Sequence, residues 1–222
     1  MATRSAIAPR PSACTFCAGC SVARNSPSER RSSGRPGSPR VRLFLALEPR
    51  EEDRAALAEW RDRLVQGRDD LRPSAAETLH LTLVFLGYQA EKDVPAIAQA
   101  ALGAVRELPA AELRPSAVMP LPRRGPRLFA LDLEDEDARA AAIQSAASEG
   151  LAEGRWYRPE RREWWPHMTL ARVKRGRRAE PLDPAEPLPG PLLAPLVTLY
   201  RSTLRPQGAV YTPLERVELR CG

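Results

Sequence analysis

LHLTLVFLG, residues 79–87, is the stretch of this sequence that most constrains the fold. Apolar residues occupy almost every position, His80 and Thr82 interrupt them, and Gly87 follows the run. Such a run predicts a buried β-strand that Gly87 ends, and along a strand successive side chains point to opposite faces. Because His80 and Thr82 are two residues apart, we expect them on one face, with an imidazole beside a hydroxyl.

The same phrase recurs further along the chain. His80 begins His-Leu-Thr-Leu and His167 begins His-Met-Thr-Leu, and these are the only two histidines among 222 residues. Thr169 is expected to share a strand face with His167, as Thr82 does with His80. Two imidazoles can serve as one general acid and one general base. Since two hydroxyls can also bind an anion, the duplicated phrase predicts an acid–base site for an anionic substrate.

Three other interpretations compete with this one. A histidine in an apolar strand is often only a core residue, although the duplication of the phrase argues against that. A zinc site needs three or four ligands, and neither phrase has a carboxylate on its histidine face. A threonine nucleophile with a neighbouring histidine as base would imply two nucleophiles, whereas an acid–base pair uses all four side chains. We therefore expect no metal and no cofactor.

The net charge of the chain is concentrated at its beginning. Residues 1–40 contain seven arginines and one glutamate, which account for the whole net charge of +6. Residues 41–222 contain 27 basic and 27 acidic side chains. The basic composition therefore does not indicate that the ordered part binds a polyanion, and any phosphate recognition must come from local clusters.

Residues 1–40 are rich in Ser, Pro, Gly, Ala and Arg, a composition that predicts a disordered tail. Cys14, Cys17 and Cys20 are spaced like metal ligands but lack the fourth ligand of a closed site. Prolines and an arginine interrupt the only stretch that could form a secretory signal, and no apolar run is long enough to span a membrane. We expect a cytoplasmic protein. An extended gene start, with Val41 as the alternative first residue, remains open.

Strand and helix patterns alternate over residues 41–222, with one histidine phrase in each half. Strands are predicted at 41–47, 79–86, 112–119, 127–133, 167–173, 196–204 and 209–219, helices at 50–66, 93–107 and 135–152, and a long loop at 174–195. This order predicts a two-lobed α+β fold in which the two phrases face each other across a central cleft.

Arginines surround the second phrase and a distant turn. Arg172 follows Thr169 by three residues, and further basic residues lie within 155–162 and 174–178. Arg123, Arg124 and Arg127 flank the turn at 120–126. Guanidinium groups match the geometry of phosphate, so these clusters favour an anionic ligand. A solvated basic surface is the alternative for any one of them.

Paired His-x-Thr-x phrases are typical of the 2H phosphoesterase superfamily, and this sequence resembles its bacterial RNA 2′,3′-cyclic phosphodiesterases, historically called 2′-5′ RNA ligases. The segments that carry the resemblance are RLFLAL at 42–47, LHLTLVFLG at 79–87, PHMTLAR at 166–172 and YTPL at 211–214. The resemblance spans residues 41–220, so residues 1–40 lie outside it. It implies two antiparallel-rich sheets with helices on the outside, and metal-free hydrolysis of RNA 2′,3′-cyclic phosphate ends to 2′-phosphates.

The resemblance also implies roles for five residues. His80 would be the proton donor, His167 the proton acceptor, and Thr82 and Thr169 would hold phosphate oxygens. Arg172 would match the arginine that follows the second phrase in the family. Simple alternation places Arg172 on the strand face opposite Thr169, so a bulge or a strand end must redirect it.

The pair Trp164-Trp165 departs from the polar, Phe or His residues expected before the second phrase, and it leaves stacking on a base open. The expected partners are RNA with 2′,3′-cyclic phosphate ends or cyclic nucleotides. We expect a monomer that does not bind membranes. Two other functions stay open. One is a non-catalytic module that binds RNA or nucleotide ends, and the other is 2′-5′ ligation as the main activity.

Overall fold

The computed structural model describes residues 38–205 and 208–220. The chain divides into two units, residues 1–37 and residues 38–222, and the described residues belong to the second. The predictions for the tail and its three cysteines therefore fall outside the described residues, except at positions 38–40. No helix in the described part of the chain is long and apolar enough to cross a membrane.

The described residues form nine β-strands and three α-helices. The strands are β1 Arg40–Glu48, β2 Leu71–Pro73, β3 Leu81–Ala90, β4 Ala111–Leu121, β5 Leu128–Glu134, β6 His167–Val173, β7 Leu192–Ala194, β8 Leu196–Arg205 and β9 Gly208–Glu218. The helices are α1 Glu51–Leu64, α2 Val94–Val105 and α3 Arg139–Glu153. All seven predicted strands and all three predicted helices are present. The three-residue strands β2 and β7 were not predicted, and β7 lies inside the predicted loop.

One predicted strand start is wrong at the site itself: β3 begins at Leu81 rather than at residue 79, so His80 lies just before the strand instead of within it. Two further boundaries differ for identifiable reasons. β3 does not end at Gly87, because this glycine has a φ of 67° beside a register shift in the pairing of β1 with β3. Glycine adopts that left-handed conformation readily, so the strand bends there and continues. α3 begins four residues later than predicted, because the Asp135 carboxylate accepts hydrogen bonds from the first-turn amides of Ala140 and Ala141.

The nine strands form one antiparallel sheet with the order β7-β4-β5-β6-β3-β1-β8-β9, and β2 pairs with β6. One half contains β3, β1, β8 and β9, and the other contains the remaining strands. Only Leu81 and Met168 pair between β3 and β6, where the two halves meet. The two predicted antiparallel sheets are therefore present as two halves, but one residue pair joins them into a continuous sheet.

The helices cover one face of this sheet. Leu57, Ile97 and Ile143 from the three helices share the main core with Leu81 and Met168 from the two central strands. All five side chains are fully buried, and each such burial stabilises the fold by about 1.5–3 kcal/mol. Side chains alternate along a strand, so the threonines next to the two strand residues point to the opposite face. We call that helix-free face the site face.

Candidate functional site

The joint between β3 and β6 brings the two histidine phrases together. Leu81 pairs with Met168, and this is the only pair between β3 and β6 in the described part of the chain. Antiparallel geometry extended by one residue on either side would place His80, which lies just before β3, across from Thr169, and Thr82 across from His167. Directly opposed residues of an antiparallel pair have Cβ atoms about 5 Å apart, and diagonal neighbours lie about 7–8 Å apart. We therefore expect the two imidazoles and the two hydroxyls that the sequence singled out to lie close together at this joint.

A register shift follows each phrase. Between β1 and β3, Ala46 pairs with Thr82 and Leu45 with Val84, so Leu83 is an extra residue. Between β5 and β6, Thr169 and Ala171 pair with adjacent residues of β5, so Leu170 is an extra residue. A bulge of this kind bends the strand and resets which side chains share a face. The fourth residue of both phrases thus occupies the same structural position.

The bulge in β6 decides where Arg172 points. Ala130 pairs with Thr169 and Leu128 pairs with Arg172, and these two β5 residues lie two positions apart on one face. Cross-strand partners share a face, so Arg172 joins Thr169 and His167 on the site face. The Arg172 side chain is exposed and makes no ion pair within the described part of the chain. The bulge at Leu170 therefore turns Arg172 to the face of Thr169, as the sequence analysis required.

Aromatic rings enclose His80. Phe44 stacks on the imidazole at 5.2 Å between centroids, Tyr200 lies parallel at 6.0 Å, and Tyr211 presents its edge at 5.6 Å. Phe44 and Tyr200 also stack on each other at 5.2 Å. We call Phe44, Tyr200 and Tyr211 the aromatic cluster. It removes much of the water that would otherwise solvate a charged imidazole.

A buried carboxylate lies behind the aromatic cluster. Glu48 is 4% exposed, and its two oxygens accept hydrogen bonds from the Tyr200 hydroxyl at 2.9 Å and from Arg54 Nη1 at 3.2 Å. Burial is the main cause that raises the pKa of Tyr200 to about 12, and the charge of Glu48 adds to it. The hydroxyl therefore stays protonated and keeps donating to Glu48, which fixes the position of the negative charge.

These surroundings set the proton affinity of His80. Burial lowers the pKa of His80 to about 4, because the enclosed site disfavours the charged imidazole. The charge of Glu48 and a hydrogen bond to the backbone of Thr78 act in the opposite direction, and the charge of Arg54 lowers the pKa further. His80 is therefore neutral near pH 7 in the free protein.

His167 has a different neighbour. Its ring stacks on Trp165 with centroids 4.2 Å apart and an interplanar angle of 14°. His167 Nδ1 lies 2.8 Å from the backbone oxygen of Trp165. A carbonyl oxygen can only accept, so Nδ1 carries the proton and Nε2 of the neutral ring has a free lone pair.

Trp165 is itself held in place. Its Nε1 donates to Asp132 Oδ1 at 2.5 Å, and the Ser116 hydroxyl donates to Asp132 Oδ2 at 3.0 Å. Asp132 is the cross-strand partner of His167 in the pairing of β5 with β6. Trp165 thus contacts His167 through its ring and its carbonyl, and Asp132 anchors the indole from the neighbouring strand.

Trp164 contacts the other phrase. Its Nε1 donates to the backbone oxygen of Thr82 at 3.1 Å, and its ring packs against the main core. The tandem tryptophans therefore join the segment before β6 to both phrases. Stacking on a base stays a prediction for Trp165, one face of which is already occupied by His167.

Sequence reasoning singled out the five predicted site residues but missed several of their neighbours. The missed residues are Phe44, Glu48, Asp132, Tyr200 and Tyr211. Glu48 and Asp132 had a usable signal, because each is an acid within or at the end of an otherwise apolar strand pattern. The three aromatic residues come from strands far apart in sequence, and nothing local indicates that they meet at His80. No cluster of three or more His, Cys, Asp or Glu side chains suited to a metal occurs among the described residues.

Sequence comparisons find relatives over most of the chain. The sequence model of the 2′-5′ RNA ligase superfamily matches residues 48–187. A Thermus thermophilus protein named RNA 2′,3′-cyclic phosphodiesterase is 35% identical in an alignment of 198 positions that covers 81% of this chain and 91% of the relative. A protein of the same name from Methanothermobacter thermautotrophicus is 30% identical and covers 79% of this chain and 97% of its own length.

Solved structures show the same fold. Escherichia coli LigT in its apo form has a TM-score of 0.65 at 26% identity, covering 82% of this chain and 99% of LigT. The complex of LigT with 3′-AMP has a TM-score of 0.63 at 25% identity, with the same coverage of both chains. The similarity extends over nearly the whole length of LigT.

Proposed function

This chain belongs to the 2′-5′ RNA ligase superfamily, and we propose that it hydrolyses RNA 2′,3′-cyclic phosphate ends to 2′-phosphomonoesters. The observation that supports the proposal most is the pairing of Leu81 with Met168, which joins the two segments that contain the His–Thr phrases. Two curated relatives with 30% and 35% identity carry the name of this activity. The substrate class is RNA with cyclic phosphate ends, together with cyclic nucleotides that present the same group.

The proposed reaction uses one histidine for each proton transfer. Water attacks the cyclic phosphorus while Nε2 of neutral His167 accepts a proton from it. The bond between phosphorus and the 3′ oxygen breaks, and protonated His80 donates its proton to that oxygen. The products are a 2′-phosphate and a 3′-hydroxyl. The reaction leaves His167 protonated and His80 neutral. His167 then loses its proton to solvent and His80 takes one up, which restores the starting state of the site.

The donor role requires His80 to gain a proton before the chemical step. Burial lowers the pKa of His80 to about 4 in the free protein, whereas a phosphate anion bound between the phrases favours the charged imidazole. The fixed negative charge of Glu48 acts in the same direction. We therefore propose that substrate binding and His80 protonation are coupled, and that the donor becomes charged mainly in the complex.

Thr82, Thr169 and Arg172 are the proposed phosphate ligands. All three lie on the site face, where the hydroxyls can donate to phosphate oxygens and the guanidinium can form charge-assisted bonds. These contacts stabilise the negative charge that develops on the oxygens in the transition state. The donor set of two imidazoles and two hydroxyls suits an acid–base reaction better than a metal, so we propose a mechanism without a metal or another cofactor.

A single chain supplies both phrases, so the proposed working form is a monomer. An RNA substrate favours the cytoplasm as the proposed location. Ligation is the second candidate activity. A 5′-hydroxyl RNA end that replaces water as the nucleophile would attack the cyclic phosphorus, release the 3′ oxygen and form a 2′-5′ bond without ATP. Ligation stays a candidate because the superfamily whose model matches this chain is named for 2′-5′ RNA ligases.

Turnover of a 2′,3′-cyclic mononucleotide in the presence of EDTA tests the proposal. We expect hydrolysis to continue with chelator and the product to be the 2′-phosphate, identified by phosphorus NMR. Binding without turnover would instead support a non-catalytic module. Loss of activity with EDTA and recovery with a divalent ion would overturn the metal-free mechanism. A parallel reaction with 5′-hydroxyl RNA measures whether joined 2′-5′ products accumulate faster than hydrolysis products.

A further inference from the structure

A basic cleft of about 890 Å³ lies at the end of β6 opposite His167. One wall comes from the turn between β4 and β5, and the other from the segment that follows β6. The charged residues that line it are Arg123, Arg127, Lys174, Arg175, Arg177, Arg178 and Glu180. Two arginine clusters that lie about fifty residues apart in sequence therefore face one cavity.

The charge at this place contrasts with the rest of the folded chain. Residues 120–128 and 172–179 contain eight basic and no acidic side chains. Residues 41–222 as a whole have no net charge, so the remainder of that region is acidic on balance. A general excess of basic residues therefore does not explain the cleft, and its potential is local.

Most of these cations have no acidic partner. Arg123, Arg127, Lys174 and Arg175 are exposed and form no ion pair with any residue that the structure describes. Arg177 reaches Asp69 only at 3.8 Å, and both side chains are largely exposed. Like charges held around one cavity repel each other, and a bound polyanion would relieve that repulsion.

The cleft is continuous with the candidate site along one strand. β6 begins at His167 and ends at Val173, which lines the cleft. A strand rises about 3.3 Å per residue, so these six steps span roughly 20 Å. Arg172 lies near the cleft end of the strand and points to the site face with Thr169. Phosphate-binding groups thus follow one line from the histidines to the cleft.

The length of that line matches a nucleic acid strand rather than a single nucleotide. One nucleotide of a stacked strand rises about 3.4 Å, so roughly 20 Å corresponds to about six stacked nucleotides and to fewer in an extended strand. No aromatic side chain lines the cleft, so it offers cations for phosphates but no ring for stacking on bases.

We propose that the basic cleft binds backbone phosphates of the substrate RNA several nucleotides before its cyclic end. The inference rests on the proposed function, because it assigns the cleft to the same substrate. It makes an RNA oligonucleotide a better substrate than a cyclic mononucleotide, through contacts that do not depend on base sequence. The added contacts should weaken as salt concentration rises.

The test compares two double variants that remove the same charge. Arg123→Gln with Arg175→Gln changes both walls of the cleft, and Arg106→Gln with Lys92→Gln changes exposed residues elsewhere that form no ion pair within the described chain. For each protein, kcat/KM is measured for a cyclic mononucleotide and for an RNA of about ten nucleotides with a 2′,3′-cyclic end. Fluorescence anisotropy with the matching 3′-phosphate RNA measures binding without turnover.

The cleft variant is expected to lose roughly tenfold in kcat/KM on the oligonucleotide and to keep wild-type kcat/KM on the mononucleotide. Its salt slope for RNA binding should fall by about 1.4, since each contact with a single strand contributes about 0.7. The control should match wild type. An unchanged oligonucleotide rate and RNA affinity, or an equal loss in the control, would overturn the proposal. If wild type hydrolyses neither substrate, the proposed function fails, and the anisotropy comparison still decides whether the cleft binds RNA.

Discussion

The two halves of the site share a motif but differ in their surroundings. In both phrases a bulge follows the threonine, and each histidine ring bonds to the backbone two residues earlier. His80 is enclosed by the aromatic cluster, with the Glu48 carboxylate behind it. His167 lies against one tryptophan ring, and the exposed Arg172 shares its strand face near the other end of β6. The backbone therefore repeats the geometry, while the neighbouring side chains make the two imidazoles chemically different.

That difference matters because an acid–base pair needs its two members in opposite protonation states. Environments that shift the pKa values of two like groups apart are how one site obtains an acid and a base. Here burial lowers the pKa of His80, and Trp165 fixes the tautomer of His167. The following predictions remove or exploit one side of this difference at a time.

The largest effect is expected from removing either imidazole. His80→Ala and His167→Ala should each lower kcat for a 2′,3′-cyclic mononucleotide by roughly 10²–10⁴-fold, because no third histidine can replace the lost group. Circular dichroism and thermal unfolding check that the variants are folded. Near wild-type rates in both variants would show that the pair does not transfer the protons.

The pH profile of the same variants assigns the roles. His167→Ala should mainly remove the acidic limb, since the acceptor must be neutral, and His80→Ala should mainly remove the basic limb, since the donor must be charged. The limbs of the wild-type profile belong to the coupled pair rather than to either residue. The reverse pattern would exchange donor and acceptor.

Substitutions of Trp165 test whether the position of the His167 ring limits catalysis. Trp165→Ala removes the stacked ring and the bond to Asp132, so His167 can rotate and kcat should fall by roughly tenfold or more. Trp165→Phe keeps a ring and should lose less. KM should change little, because Trp165 holds the base rather than the phosphate. Trp156→Phe is the matched control, because no ring contact joins Trp156 to either histidine in the described part of the chain. Equal kcat in wild type and all three variants would contradict the positioning role.

Stability against pH tests the His80 side without catalysis. The pKa of His80 in the folded protein, about 4, lies below its usual value near 6.5, so the unfolded chain takes up the proton first. This contribution to stability is complete above pH 6.5 and is lost as the pH falls toward 4. Between pH 7.5 and 4.5, wild type should lose about 2 kcal/mol more than His80→Asn in urea unfolding. Equal losses would show that His80 titrates normally.

The smallest effect is expected at Glu48. Glu48→Gln removes the buried charge that raises the pKa of His80, so the donor should lose its proton at lower pH. The basic limb of kcat should move to lower pH, with a loss of a few-fold near pH 7.5. The exposed Glu52→Gln on α1 is the control. If the basic limb of the kcat profile does not move, Glu48 does not influence the protonation of His80 during turnover.

The fold was largely predictable because the strand and helix patterns are long and regular. The strands β2 and β7 were missed because three residues carry no periodic signal. Sequence alternation could state that Arg172 needed a redirecting bulge, but only the pairing of β5 with β6 locates it at Leu170. The aromatic cluster combines side chains from β1, β8 and β9, so it depends on strand order, which local sequence does not encode.

The joint at Leu81 and Met168 has a consequence for which phosphate isomer forms. Antiparallel pairing about one residue pair relates the two His–Thr units by a local twofold axis. A cyclic phosphate rotated by half a turn about this axis meets the same four groups, so these groups alone cannot select the 3′ oxygen as the one that leaves. Selection must come from what breaks the symmetry, with Glu48 on one side and Trp165 and Arg172 on the other. Regioselectivity is measured as the ratio of 2′- to 3′-phosphate product. We expect this ratio to change when Glu48, Trp165 or Arg172 is substituted, and to change less when a histidine or threonine of the two phrases is substituted.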